Sequence, residues 1–342
     1  MNTFFTWKIN KISFIDSKWM FFLLLSLVFL AMLISWLKKE KIYVFFNQEN
    51  KKFLFKTVNK VWLFRIIGII TLIFTIIRSV AILYSSYPFK WEAIPMHFCR
   101  FLLFVLMLMF IFNKTHIVNR VSIVCFISAF VAFAFANLGV VKEFVEGDII
   151  YNNLVPGTKE YEKAGLNTGY DTILFWDFVI AHAYVFYAPI FMHIVNGKKS
   201  KITFVSVFEG IIVLNILSFV VFGLNEMSYQ IALNSKTPDK NVIAWGANWF
   251  YLGRTGINTL GKFSQWPNNS WSLSLAFMFG IFLVFGILIL FNIISKLRII
   301  TIQKDSSKQM KFIFIKKPKE VFKEYCAPLK NIFNINKSKY VI

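Results

Sequence analysis

Seven blocks of roughly twenty apolar residues, separated by more polar stretches, constrain this chain more than any motif in it. They lie at residues 19–37, 61–84, 94–112, 120–138, 172–195, 202–223 and 271–296. A helix rising 1.5 Å per residue needs about 20 apolar residues to cross about 30 Å of hydrocarbon. Each block meets that length, so the pattern predicts an all-α, polytopic membrane helix bundle of about seven transmembrane helices in the cell membrane. The first block is too long for a signal peptide, lacks a small-residue cleavage site and runs into Lys38-Lys39-Glu40-Lys41, so it reads as a retained span.

Charge sets the expected orientation. The loops at 38–60, 113–120 and 196–201 and the tail from Lys296 hold 24 Lys and Arg residues, against 11 on the opposite side. By the positive-inside rule the N terminus is outside and the C terminus inside. The loop 139–171 carries six acids against three lysines and reads as an external cap, with turns at Val155-Pro156-Gly157 and Asn167-Thr168-Gly169. The second long external loop, 224–270, contains an apolar patch from Val242 to Leu252 that is too short to span and suits an interfacial or re-entrant segment. Three regions follow: 1–60, a first span with its basic loop; 61–296, a six-span core; and 297–342, a basic tail.

The net charge of +21 would suggest nucleic acid in a soluble protein. Here the excess flanks the spans, so the expected partners are membrane lipids, with the anionic inner-leaflet surface meeting the tail, and no nucleic acid. The tail's alternation of lysine with Phe, Ile and Val suits a segment lying on that leaflet. No phosphate loop, zinc spacing or cofactor motif is present, so no metal or cofactor is expected. Cys99, Cys125 and Cys326 fall in helices or the tail and imply no disulfide framework.

Chemistry concentrates in Trp91 to Phe110, where Pro95, His97, Cys99 and Arg100 crowd the mouth of the third block. Polar groups inside membrane helices are expensive and mark functional sites. Pro95 is placed to open the helix. At ~100° per residue, His97 and Arg100 share a face while Cys99 points away, so Cys99 needs a partner from another span. Asp177 and His182, in the fifth block, lie at matching depth, and so does Arg78 in the second. These six residues form the expected cluster, with Asp177 as counter-ion to Arg78 or Arg100. Glu209 is expected to pair with Arg65, and Trp245, Trp249, Trp266 and Trp271 to form an interfacial aromatic belt.

Several segments also carry a resemblance. Ile94-Pro95-Met96-His97-Phe98-Cys99 resembles the Leu-Pro-Leu-His-Leu-Cys signature of the YwaF-like integral membrane proteins. Phe178-Val179-Ile180-Ala181-His182, Asn248-Trp249-Phe250-Tyr251-Leu252 and Gln265-Trp266-Pro267 are similar to that family's later elements in the same order, over about residues 60–296. That family looks distantly similar to eukaryotic membrane acyltransferases that remodel phospholipids. The resemblance implies Cys99 as acyl acceptor, His182 as general base or orienting group and His97 as a second acid or base, which makes the chain an acyl-lipid enzyme, an acyltransferase or lipid hydrolase. The alternative is a transporter or substrate-capture subunit with an Arg/Asp/His binding site built on the Arg78, Arg100 and Asp177 cluster; the expected substrate-binding residues are Arg78, Arg100, Asp177 and Asn248. In a third reading the buried polar groups only lock helices together. The orientation has a direct test: a membrane-impermeant thiol reagent applied to intact cells should leave Cys326 unlabelled, and should reach it once the membrane is permeabilised.

Overall fold

A computed structural model describes residues 3–5, 12–85, 87, 89–136, 138, 144–146, 149–151, 168–256, 262–263, 265–304 and 307–334. The turns expected at 155–157 and 167–169 lie largely outside these residues.

Helix α1, Phe14–Leu37, starts where Ser13 and Asp16 form a reciprocal capping box, satisfying two of the amides that a helix start leaves without partners. A short helix α2, Lys39–Asn47, and a minimal hairpin of β1, Lys52–Phe53, and β2, Val58–Asn59, lead to α3, Lys60–Tyr84. A 3-10 turn at Lys90–Ala93 precedes α4, Phe98–Ile111, and another at Thr115–Arg120 precedes α5, Ser122–Ala134. Strands β3, Phe144–Glu146, and β4, Ile149–Tyr151, pair in the long loop. Then come α6, Ile173–Asn196, α7, Phe204–Leu233, the short α8, Pro238–Trp245, and α9, Asn269–Ile294. The tail forms an antiparallel hairpin of β5, Leu297–Lys304, and β6, Ser307–Phe314, followed by α10, Pro318–Asn334.

Six segments are long and apolar enough to cross a membrane: α1, α3, the Lys90–Ile111 segment ending in α4, α6 with its following turn, α7 and α9. The fourth apolar block is the exception to the expected seven. Its helix is the 13-residue α5, about 20 Å long at 1.5 Å per residue, because the helix starts at Ser122, after the 3-10 turn that ends at Arg120, and stops at Phe135, short of the end of the block. The tail also departs from a segment that merely lies on a surface. Val321 and Tyr325 of α10 are buried beneath the bundle, Tyr325 against Phe285, and Glu324 takes Lys201 at 2.8 Å and also Lys316.

Helix α6 is the hub of the bundle, packing against α1, α2, α4 and α5. The most extensive helix–helix contact is between α3 and α4, and Gly68 allows it. A Cβ there would come within 2.6 Å of Ile111 Cγ1 and 2.9 Å of its amide nitrogen. Small residues at such crossings are how helices approach closely in a medium that supplies no hydrophobic drive. Gly68→Leu should therefore lower the thermal stability of the purified protein by about 1–3 kcal/mol through overpacking. Gly223→Leu, where nothing lies within 4 Å, should leave the melting curve in place.

Candidate functional site

Helix α3 ends at the same end of the bundle where α4 and α6 begin, and charged side chains meet there. Arg78, buried near the end of α3, donates from Nε to Asp177 Oδ2 at 3.2 Å and from Nη1 to the Glu92 carbonyl, with Glu92 Oε2 3.7 Å from Nη2. Arg100, in the first turn of α4, donates from Nη2 to the Asp177 carbonyl at 2.9 Å and to Asp177 Oδ2. Two cations and two carboxylates thus share one buried volume. A cation at a helix N-terminus faces the positive end of the macrodipole. The carboxylate of Asp177 compensates that position.

The turn before α4 is clamped in place. Ser79 donates to the Ala93 carbonyl at 2.6 Å, and Lys90 Nζ caps the end of α3 by donating to the carbonyls of Ile82, Leu83 and Ser85. A cation at a helix C-terminus satisfies carbonyls that have no intrahelical partner. Pro95 does not open the helix as expected. It lies in this turn, and His97 is the N-cap, its Nδ1 accepting the Phe98 amide hydrogen at 2.9 Å.

A second element closes over His97. Residues Trp249–Tyr251 form a tight turn in which Phe250 and Tyr251 adopt φ of 57° and 60°, a region that costs a non-glycine residue energy unless its surroundings enforce it. Asn225 of α7 enforces it, donating to the Trp249 carbonyl and accepting the Trp249 amide at 2.9 and 3.0 Å. Asn269 donates to the carbonyls of Tyr251 and Gly253, and Asn248 binds Gly253 and Gly256. The turn buries Phe250 against Phe98 and sets Tyr251 edge-on to His97, with ring centroids 4.7 Å apart. Trp249 is buried and donates to the Trp91 carbonyl at 3.2 Å. It therefore leaves the expected aromatic belt, while Trp266 stacks on Arg254, whose guanidinium carbon lies 4.3 Å from the ring.

Of the expected site residues, Arg78, Arg100 and Asp177 come together directly. Asn248 builds the neighbouring turn with both ends of its amide. His182 is buried one helical turn below Phe178, its Nδ1 paired with the Phe178 carbonyl at 2.6 Å and its ring against Phe178 and Phe133. Cys99 lies beside the Ser128 hydroxyl, Arg100 and Cys125. Among the described residues no three His, Cys, Asp or Glu side chains form a metal-holding group. Glu209 pairs with Arg120 at 2.6 Å rather than with Arg65, which lies over Trp62. Sequence reasoning missed Glu92, Asn225 and Asn269. A signal existed for Asn225, an amide in an apolar run, whereas Glu92 and Asn269 sit in polar surroundings.

The model of the TMEM164 family matches residues 4–291, most of the chain, and the chain belongs to that family. This corrects the YwaF-like assignment and, with it, the acyltransferase identity, which rested on that resemblance. No curated protein and no solved structure matches the chain.

The network makes a clear energetic prediction. Asp177→Asn leaves two buried guanidiniums without their shared counter-ion, and should destabilise the detergent-solubilised protein by about 3–5 kcal/mol in chemical unfolding. Glu226→Gln breaks the more exposed pair with Arg254, and should shift the same curve by less than about 1 kcal/mol.

Proposed function

We propose that this TMEM164-family chain is a substrate-capture or transport protein that binds a small anionic solute at the Arg78–Asp177–Arg100–Glu92 cluster. One observation carries the reading. Among the described residues, Arg100 makes all its hydrogen bonds through Nη2, and Asp177 Oδ1 is buried without a partner. An orphaned buried acceptor beside unspent guanidinium donors suits a ligand that offers both an anionic oxygen and a hydrogen-bond donor, such as a hydroxy or amino carboxylate or a hydrogen phosphate. Planar guanidinium is the natural partner of carboxylate and phosphate oxygens. The turn at Trp249–Tyr251 lies next to His97 and is the candidate gate. On the charge-based orientation the site opens to the outside. The exposed Lys317, Lys319, Phe322 and Lys323 of the tail then face the anionic inner leaflet.

A second reading keeps Cys99 as the nucleophile of a thiol-dependent lipid hydrolase, with His182 and His97 as its acid and base. It is favoured by the partial exposure of Cys99 beside Arg100 and the Ser128 hydroxyl. Attack on a lipid ester would form a thioester and release the alcohol, and water would then free the acid.

The two readings separate cleanly. Thermal-shift titration with phosphate, lactate and aspartate should show stabilisation of the wild type and Cys99→Ser by the same solute. Arg100→Lys, which keeps the charge and loses the fork, should weaken apparent affinity at least about tenfold, or about 1.4 kcal/mol. A solute response lost in Cys99→Ser and kept in Arg100→Lys would overturn the binding reading.

A further inference from the structure

The two sides of α6 differ in kind. It presents Asp177 to α3 and α4, and Phe178 and Phe186 to α1 and α5. Both α1 and α5 pack on α6, and between them they leave a half-open groove of about 340 Å³. Phe14, Leu25 and Phe29 line it from α1, Phe130 and Phe133 from α5, and Lys18 stands among the lining residues near one end. From Phe14 to Phe29 the slot follows one face of α1 over fifteen residues, about 22 Å at 1.5 Å per residue. The groove is open on one side and its lining is mostly apolar, so water finds few polar partners along it. Left empty, the lining side chains would forfeit their dispersion contacts on one side.

We propose that this slot holds one acyl chain of a resident phospholipid whose phosphate pairs with Lys18. Several observations select this occupant. The slot runs along a membrane-spanning helix for more than half the roughly 30 Å hydrocarbon thickness. Its aromatic and aliphatic lining suits an unbranched chain. Lys18 is exposed, forms no ion pair among the described residues and adjoins the exposed Trp19, a pairing typical of the headgroup boundary. Asp16, the nearest acid in sequence, is engaged in the capping box with Ser13. The lipid is a fixed part of the bundle, separate from the arginine cluster and independent of what that cluster binds.

The test is native mass spectrometry of the full chain purified in mild detergent, with delipidated protein then titrated with palmitoyl-oleoyl phosphatidylglycerol or the matching diacylglycerol. Wild type should retain one phospholipid and rebind phosphatidylglycerol at least tenfold more tightly than diacylglycerol. Leu25→Trp fills the slot and should lose the retained lipid while melting no lower than wild type. Lys18→Gln should bring phosphatidylglycerol down to the affinity of diacylglycerol. If Leu25→Trp does not fold, Ala134→Trp blocks the slot from α5 and serves the same purpose. Equal lipid retention by the blocked variants and wild type, or a phosphatidylglycerol preference that survives Lys18→Gln, would overturn the proposal.

Discussion

The bundle depends on one buried carboxylate. Asp177 is the point at which α6 holds both α3, through Arg78, and α4, through Arg100, and the turn at Glu92 joins from the side. Each ion removed from water carries a penalty of several kcal/mol, and in hydrocarbon no solvent relieves it. The four groups are therefore stable only as a set. Two positive and two negative charges cancel within one volume, and the arrangement fixes the relative depth of three helices whose apolar faces would otherwise slide. Leucine and isoleucine surfaces give little register in lipid. Directional hydrogen bonds among charged groups supply it.

The neighbouring turn follows the same logic with neutral groups. Asn225 and Asn269 satisfy the backbone of Trp249–Tyr251 by imitating the pairing of a strand or a helix cap. Irregular backbone is tolerated at this depth only where protein buries it, and here Phe98, Trp91 and His97 provide that burial. The left-handed φ values of Phe250 and Tyr251 are a local cost held by three amide side chains, and they keep the turn tight enough to cover the start of α4.

Much of this was legible in the sequence. The apolar blocks gave six spanning segments because hydropathy and length are the physical requirements for crossing a bilayer. The meeting of Arg78, Arg100 and Asp177 followed from counting depth along antiparallel spans. What the sequence hid were contacts set by loops. Glu92 and Asn269 look like ordinary polar residues outside a span, and only the path of the chain turns them inward. Helix α5 fell short of its apolar block chiefly because it stops at Phe135 while the apolar run continues, and hydropathy does not register where a helix ends. The place of His97 was also hidden, because only the path of the chain makes it the cap of α4 rather than a residue inside it. The short motifs around them pointed to a different family from the one to which the chain belongs.

The brevity of α5 reaches beyond the protein. A helix about 20 Å long beside neighbours of 24 and 26 residues leaves the apolar belt shallower on one flank than elsewhere. A bilayer matched to the longer helices would meet that flank by compressing or splaying lipid chains, at fractions of a kcal/mol per Å of mismatch. Where α5 borders lipid, the cost of that adjustment is smaller in a thinner bilayer.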